Sequence, residues 1–259
     1  MTRPSATRTV LVLGAVIASA ACGAPALTAP ESVVVVPPQV IVPAPVVLLS
    51  TPRILAFGDS LTEGADGDTP FGPIDPTTPG LPQSYPYKLQ ALLAARYTSQ
   101  TISVFSAGKG GATAAGPDGV PRLSGLLTQL KPDVVILLYG VNDLNAGTPI
   151  PDVAASMTQL ISEVRGRGAY PLLSSVPRQV PGAQRAFSPT LIQPYNAALQ
   201  TVSINTGALF ADIYPLISES MIARDGLHLT ESANATLAAA YFAVLKARFE
   251  YTSPASHAR

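Results

Sequence analysis

The chain has 259 residues, of which 12% are charged and 47% are hydrophobic, and its 16 basic and 16 acidic side chains give a formal net charge of zero. This length fits one or two domains. Without a basic surplus or a run of like charges, the composition offers no electrostatic basis for binding nucleic acid. The single cysteine, Cys22, cannot form an intrachain disulfide, and two histidines speak against a histidine-rich metal site.

The first 22 residues have the pattern of an export signal. Arg3 and Arg8 precede an uncharged apolar run at residues 10–21, which is shorter than the roughly 20 residues that span a bilayer. A charged start, a short apolar stretch and small residues at its end are typical of a secretory signal. The run ends in residues 19–23, Ser-Ala-Ala-Cys-Gly, which resemble the lipobox of bacterial lipoproteins. We therefore expect export, with lipidation at Cys22 or, alternatively, ordinary cleavage nearby and secretion.

Residues 23–52 are rich in proline and valine. Proline removes a backbone donor and blocks helix continuation, and proline-rich stretches favour extended spacers. We interpret this segment as a linker that would hold the following domain away from a membrane to which a lipidated Cys22 is tethered. The alternative is a strand packed on the edge of the domain, which the valine-rich runs at residues 33–36 and 46–49 leave open.

From residue 53 to about residue 250, apolar runs alternate with helical patterns. The apolar runs predict five buried strands, at residues 53–57, 101–105, 134–138, 170–176 and 209–213. Apolar residues at helical spacing predict five helices, at residues 85–97, 123–130, 153–164, 191–202 and 231–249. Continuously apolar strands that alternate with helices indicate a parallel sheet covered on both faces. The prediction is one doubly wound α/β domain at residues 53–250, followed by a flexible tail at residues 251–259.

A candidate nucleophile follows the first predicted strand, in the run Gly58-Asp59-Ser60-Leu61-Thr62-Glu63-Gly64. A serine at a strand-to-helix turn can project its hydroxyl beyond the carboxyl end of the strand, where doubly wound sheets bind ligands. Ser60 is also suited to cap the helix, and the two roles are compatible. The nucleophile elbow G-x-S-x-G of the α/β-hydrolases is absent, because Thr62 stands where its second glycine would be.

A nucleophilic serine needs a base, and histidine is the commonest choice because its pKa lies near operating pH. His257 lies in the predicted tail, which leaves His228, just before the last helix. Asp225 precedes it by three residues, and in a turn that spacing lets the carboxylate reach the imidazole and stabilise its protonated form. The alternative is that His228 is a partly buried histidine beside a helix start capped by Thr230.

Two loops after other predicted strands hold candidate donors for an oxyanion. Asn142 follows the strand at residues 134–138 and could direct its side-chain amide there, although Asn-Asp is also suited to a turn. The glycine-rich loop at residues 107–113 could offer a backbone N–H, or be a plain loop or a phosphate cradle. It is no Walker-type loop, which requires Gly-Lys-Ser/Thr at its end.

Taken in chain order, Gly58 to Leu61, Gly111, Asn142, and Asp225 with His228 resemble the four blocks of the GDSL-type, or SGNH, hydrolase family. The resemblance spans about residues 53–249. It implies a three-layer α/β/α sandwich around a five-stranded parallel sheet of the flavodoxin-like, doubly wound kind. The family often has asparagine where Ser106 stands, so Gly108 and Gly110 remain alternatives to Gly111.

The resemblance also implies roles for the individual residues. Ser60 is expected to be the nucleophile, His228 its base and Asp225 the partner of that base. The oxyanion hole is expected to consist of the Ser60 N–H, the Gly111 N–H and the Asn142 side chain, with no metal and no cofactor.

The expected activity is hydrolysis of a carboxylic ester through an acyl-enzyme, as in an esterase, lysophospholipase or thioesterase, on a small-molecule, lipid or sugar ester. Three alternatives are a carbohydrate O-acetylesterase, a non-catalytic surface lipoprotein that binds ligands, and a phosphoryl-transfer enzyme with Asp59 as nucleophile. We expect Phe71, Tyr85 or Phe187 to border the substrate pocket. The sequence indicates nothing about oligomeric state.

Overall fold

The structure is a computed structural model that describes residues 45–67 and 74–253. Its strands and helices alternate along most of the chain, and their connections include several single 3₁₀ turns. In chain order the elements are β1 Val46–Leu49, β2 Arg53–Gly58, α1 Ser60–Glu63, α2 Tyr85–Arg96, β3 Ser103–Gly108, α3 Val120–Leu130, β4 Val134–Leu138, α4 Val141–Asn145, α5 Ile150–Gly166, β5 Tyr170–Ser174, α6 Ile192–Thr206, β6 Leu209–Ala211, α7 Glu231–Phe249 and β7 Glu250–Ser253.

Five of the strands form a parallel sheet in the order β3-β2-β4-β5-β6. This order is that of flavodoxin-like doubly wound folds, so the predicted fold class is confirmed. Strand β2 is paired on both sides, and its Ala56 lies opposite Ser106 of β3 and Ile136 of β4. The chain reverses its winding direction beside β2, and the carboxyl end of that strand is therefore the expected position of a binding site.

Helices cover both faces of the sheet. On one face α2 packs against α7, where the rings of Tyr85 and Tyr241 lie 5.0 Å apart between centroids, and on the other face α5 packs against both α3 and α6. All five residues of β4 are buried, as a central strand with helices on both sides requires. Helix α7 begins after Thr230, whose hydroxyl accepts a hydrogen bond from the Ala233 N–H.

The predicted strands and helices are all present; β4 and α7 have the predicted bounds, and the other predicted elements have shifted ends. Strand β3 starts two residues later than predicted and continues to Gly108, because its pairing with β2 extends that far. Helices α1 and α4 were not predicted, since segments of four and five residues are too short to show a helical period.

The predicted domain boundaries need correction at both ends. Strand β1 pairs antiparallel with β7, so that Val46 lies opposite Ser253 and Leu49 lies opposite Glu250. Residues 46–52 therefore belong to the domain and not to the linker, and residues 251–253 form a strand and not a free tail. The physical reason is that each segment satisfies the other's backbone hydrogen bonds and buries Leu49, which is 2% exposed.

The predicted signal at residues 1–22 with Cys22, the linker up to residue 44, and residues 254–259 with His257 lie outside the described residues. Of the helices that the structure describes, none combines the length and apolar character needed to cross a membrane.

Candidate active site

The turn after β2 presents Ser60 at the carboxyl edge of the sheet. Asp59 caps α1 by accepting a hydrogen bond from the Leu61 N–H at 2.9 Å, so the cap of this helix is Asp59 and Ser60 is its first residue. Ser60 is 7% exposed. Its backbone N–H belongs to the first turn of the helix, where N–H groups have no partner within the helix.

The structure brings Ser60, His228 and Asp225 into one hydrogen-bonded chain. The Ser60 Oγ lies 2.9 Å from the His228 Nε2, across 168 residues of sequence, and the His228 Nδ1 lies 2.5 Å from the Asp225 Oδ2. With the Nδ1–H directed at the carboxylate, Nε2 can accept the proton of the serine hydroxyl. This is the geometry that a serine nucleophile and its base require.

Asp225 is held as a carboxylate by its surroundings. Burial by itself raises the pKa of this carboxyl, but hydrogen bonds from the His228 and Leu227 N–H groups and from the imidazole outweigh burial and lower the pKa below its ordinary value. Both backbone N–H groups donate to Oδ1 at 3.0 Å. The same oxygen that faces the imidazole, Oδ2, lies 3.7 Å from the Nε of Arg185.

The predicted side-chain donor lies on α4, the predicted glycine donor lies on the loop after β3, and the two segments contact one another. The Asn142 Nδ2 donates to the Ala112 carbonyl at 2.9 Å, and because an amide nitrogen carries two hydrogens, a second one is available for a ligand. Gly111 adopts a positive φ of 73°, which glycine adopts without strain. A side chain at position 111 would meet no atom within 4 Å, so its backbone borders open space.

The other two glycines of this loop are already engaged. A Cβ at Gly108 would lie 2.0 Å from the Glu63 nitrogen, so this residue is packed against α1. The Gly110 backbone lies against the Glu63 carboxylate, whose Oε2 would be 2.9 Å from a Cβ at this position. Of these three glycines, only Gly111 has open space beside its backbone.

Beneath these loops lie two buried carboxylates, Asp59 and Asp143. Sequence reasoning considered Asp59 only as the nucleophile of a phosphoryl-transfer enzyme. Asp59 is fully buried, and burial, with a further contribution from nearby Asp143, raises its pKa to about 7 against the opposing effects of the Leu61 N–H and Arg122. Its Oδ2 has no hydrogen-bond partner in the described part of the chain. A carboxylate so enclosed cannot attack a phosphoryl group, which argues against the phosphoryl-transfer alternative.

Arg122 joins the ends of the strands below the site. Its guanidinium donates to the Ala107 carbonyl at 2.9 Å and to the Gly58 carbonyl at 3.0 Å, and it lies 4.2 Å from the centre of the Phe57 ring. The carboxyl ends of β2 and β3, from which the serine turn and the glycine loop start, are thereby fixed relative to each other.

The three predicted pocket aromatics have different outcomes. Tyr85 is fully buried between α2 and α7, with its hydroxyl 3.2 Å from the Thr62 Oγ1, so its prediction as a pocket residue is wrong. The helix at this position was predicted correctly, but Tyr85 lies on the face of the helix that packs against the core. Phe187 is 71% exposed on the loop at residues 177–189, whereas Phe71 lies outside the described residues.

The loop at residues 177–189 is hydrogen-bonded to the segment at residues 225–228, the histidine loop, which carries Asp225 and His228. The Val180 N–H donates to the Gly226 carbonyl at 2.9 Å, and the Arg185 N–H donates to the Asp225 carbonyl at 2.8 Å.

Within residues 45–67 and 74–253, no three His, Cys, Asp or Glu side chains are grouped so as to hold a metal ion.

Residues 56–235 match the family model of the GDSL-like Lipase/Acylhydrolase family. Because the match covers more than half of the chain, the protein belongs to this family of acylhydrolases. Among curated proteins, none matches the chain in sequence.

Solved structures of esterases share the fold. A lipase/acylhydrolase from Enterococcus faecalis is 22% identical, with a TM-score of 0.63 over 79% of this chain and 98% of that chain. Est24, a carbohydrate acetylesterase from Sinorhizobium meliloti, is 21% identical, with a TM-score of 0.62 over 76% and 99% of the two chains. Axe2, an acetylxylan esterase from Geobacillus stearothermophilus, is 19% identical, with a TM-score of 0.58 over 76% and 95%. At these identities the likeness establishes the fold.

Proposed function

We propose that this acylhydrolase is a serine esterase that cleaves carboxylic esters through an acyl-enzyme, with Ser60 as nucleophile, His228 as general base and Asp225 as its orienting partner. One observation carries the proposal. The serine oxygen lies 2.9 Å from one imidazole nitrogen, and the other imidazole nitrogen lies 2.5 Å from a carboxylate oxygen. Such a chain activates a hydroxyl that would otherwise be a weak nucleophile.

In the first half-reaction the Ser60 Oγ forms a bond to the ester carbonyl carbon while its proton passes to the His228 Nε2. The negative charge that develops on the carbonyl oxygen is met by the N–H groups of Ser60 and Gly111 and by the Asn142 amide. When the tetrahedral intermediate collapses, the bond to the alcohol breaks, and that alcohol leaves with the proton held by His228. The acyl group remains as an ester of Ser60.

In the second half-reaction a water molecule attacks the acyl-enzyme and gives a proton to the His228 Nε2. The new intermediate collapses, the bond to the Ser60 Oγ breaks, and that oxygen recovers the proton. Because Asp225 stays ionised throughout, it stabilises the imidazolium in both halves. The net reaction consumes one ester and one water and releases an acid and an alcohol.

The proposal is tested by measuring the release of nitrophenol from nitrophenyl esters of increasing chain length by the wild type and by Ser60→Ala. The expected result is turnover by the wild type and its loss in Ser60→Ala. Ser162→Ala, which alters an exposed helix serine that bonds only the Thr158 carbonyl, serves as the matched control and should retain full activity. Substantial turnover by Ser60→Ala would reject the assignment.

A second candidate function is the hydrolysis of O-acetyl groups on carbohydrate. It is favoured by the two carbohydrate acetylesterases among the structural neighbours, Est24 and Axe2, and by the exposed ring of Phe187 on a loop bonded to the histidine loop. Acetylated xylo-oligosaccharides assayed beside the nitrophenyl series decide between the two. Efficient release of acetate from the oligosaccharides, with poor activity on longer acyl chains, would select the acetylesterase.

We also propose that the protein is exported and tethered to a membrane through a lipidated Cys22, with the domain acting on an ester outside the cytoplasm. The support is the signal-like pattern of residues 1–22 and the small residues that precede Cys22. The intact mass of the mature protein tests this proposal. A chain that begins at Cys22 and carries added acyl mass is expected, whereas cleavage elsewhere without added mass would indicate free secretion.

A further inference from the structure

Glu63 is a buried carboxylate next to the nucleophile. It is the last residue of α1, three positions after Ser60, and it is only 9% exposed. No lysine or arginine of the described residues forms an ion pair with it. Instead its carboxylate lies against the Gly110 backbone, where a Cβ would be 2.9 Å from the Glu63 Oε2, and the Gly110 N–H lowers the pKa of this carboxyl. A carboxylate is costly to bury without a cation, so its single backbone partner requires an explanation.

The glycine loop passes directly over α1 at this point. At Gly108 there is room for hydrogen only, since a side chain there would meet the Glu63 nitrogen at 2.0 Å. The next N–H, that of Lys109, donates to the Gly58 carbonyl at 3.1 Å. The first part of the loop is therefore fastened to the turn that carries the nucleophile, and the Glu63 carboxylate contacts it at Gly110.

The second part of the loop is fastened to α4. The Asp143 carboxylate accepts the Ala114 N–H at 2.9 Å and the Ala115 N–H at 3.3 Å, and Asn142 donates to the Ala112 carbonyl at 2.9 Å. Gly111 lies between the two attachments and has open space beside it. The Ala112 N–H donates to the Lys109 carbonyl at 3.1 Å, so Gly110 and Gly111 form the centre of a turn. The direction of the Gly111 N–H is set by this turn together with what holds its two ends.

We propose that Glu63 is a positioning residue: its carboxylate grips the Gly110 N–H and thereby fixes the adjacent Gly111 N–H as an oxyanion donor. The inference rests on the proposed function, because it assigns Glu63 a part in stabilising the same tetrahedral intermediates. Glu63 itself touches neither the ester nor the reacting atoms. It acts through the loop, and the attachment to α4 cannot replace it because that attachment begins after Gly111.

The charge of Glu63 has a second effect, on His228. The two groups interact favourably when His228 is protonated, and this interaction lowers the pKa of Glu63 against the larger, raising effect of burial. By reciprocity the carboxylate favours the imidazolium that forms as Ser60 loses its proton.

The test uses two substitutions that separate the grip from the charge. Glu63→Gln keeps a side-chain oxygen that can accept the Gly110 N–H but removes the charge, whereas Glu63→Ala removes both. Glu163→Gln is the matched control, because it neutralises a glutamate that pairs with Arg167 at the end of α5 that precedes β5, at the opposite edge of the sheet. The kcat and the KM are measured for each on a nitrophenyl ester, with the melting temperature as the record of folding.

Loss of one oxyanion donor costs about 10² to 10³ in turnover, and a donor left in place but poorly directed should cost part of that. We expect kcat of Glu63→Ala to fall by roughly tenfold to a hundredfold with little change in KM. Glu63→Gln should recover most of kcat, because its side-chain oxygen can still accept the Gly110 N–H. Glu163→Gln should match the wild type.

Wild-type kcat in Glu63→Ala, or a rise in KM alone, would overturn the inference. So would a kcat of Glu63→Gln that is as low as that of Glu63→Ala. If Glu63→Ala does not fold, Glu63→Asp replaces it, since the shorter side chain withdraws the carboxylate from Gly110 and should lower kcat in the same way. Wild-type protein without ester turnover, or an active Ser60→Ala, would instead reject the proposed function. An active wild type, an inactive Ser60→Ala and unaffected Glu63 variants would reject only the role of Glu63.

Discussion

At the residue scale, Asp225 performs two tasks with its two oxygens. Oδ1 accepts two backbone N–H groups and so fixes the turn that leads into His228, while Oδ2 faces the imidazole. One oxygen holds the turn and the other oxygen faces the imidazole. Replacing the carboxylate with an amide therefore keeps an acceptor for the turn but removes the negative charge beside the imidazole.

We predict that Asp225→Asn reduces kcat by about 10³ to 10⁴ with a much smaller change in KM. An amide that directs its N–H₂ at the imidazole favours the tautomer in which Nε2 is protonated and cannot accept the serine proton. Steady-state kinetics on a nitrophenyl ester measure the effect. A pure rise in KM would contradict the role, because it would mean that Asp225 contributes to substrate binding only.

We predict that the free energy of unfolding depends on pH through the titration of Asp59. Burial raises its pKa from the ordinary value of 3.8 to about 7, so between these values the folded protein binds a proton that the unfolded chain has released. Its contribution to stability is complete below about pH 4 and is lost as the pH rises through 7. Each pKa unit corresponds to about 1.4 kcal/mol, so the loss is on the order of a few kcal/mol.

Asp59→Asn removes this titration while keeping an oxygen for the Leu61 N–H. The difference in unfolding free energy between Asp59→Asn and the wild type should therefore shift in favour of the variant between pH 4 and pH 7.5. Urea unfolding at both pH values measures this difference. An equal difference at the two values would show that Asp59 has the same pKa in the folded and unfolded chain.

At this scale, functional residues could be predicted from the sequence where few residues of the required type are present. With only two histidines and with Ser60 at a strand end, the pair that the structure joins could be selected from chemistry. Asp59 and Glu63 stand in the same run as Ser60, yet nothing in the run shows that they are buried or what they face. Those properties depend on α1 and on a loop some 50 residues away, whose approach only the folded chain reveals.

At the element scale, the small β1-β7 sheet lies outside the alternation of strands and helices from which the fold was predicted. Its strands have four residues each and come from the two ends of the described domain. Short strands without neighbours in sequence give no periodic signal. The valines of residues 46–49 left a strand open as an alternative, but its partner at residues 250–253 could not be found from the sequence.

We predict that Leu49→Ala lowers the free energy of unfolding by about 2 to 4 kcal/mol, as expected for a leucine removed from a packed core. Val47, two residues earlier in β1, is half-buried, and Val47→Ala should lower the free energy of unfolding by a smaller amount. Urea unfolding of the two variants gives the comparison. Equal and small losses would mean that β1 rests loosely on the domain and does not contribute to its core.

At the scale of the whole molecule, the site depends on strands whose ends meet although their residues are far apart in sequence. Ser60 follows β2, Gly111 follows β3 and Asn142 follows β4, and these three strands are neighbours in the sheet. A parallel, doubly wound sheet could be predicted from the continuous apolar runs. The strand order could not, because an apolar run does not specify its neighbour; it entered through the resemblance to the GDSL-type family.

The proposed mechanism requires that Ser60, activated by His228, becomes acylated. The most direct test is the intact mass of the protein after exposure to an organophosphonate ester that phosphonylates activated serines irreversibly, followed by peptide mapping. We expect one adduct per wild-type chain, located on the peptide that contains Ser60, no adduct on Ser60→Ala, and strongly slowed labelling of His228→Ala. An adduct that persists in Ser60→Ala, or a wild-type Ser60 that remains unmodified while the protein hydrolyses esters, would contradict it.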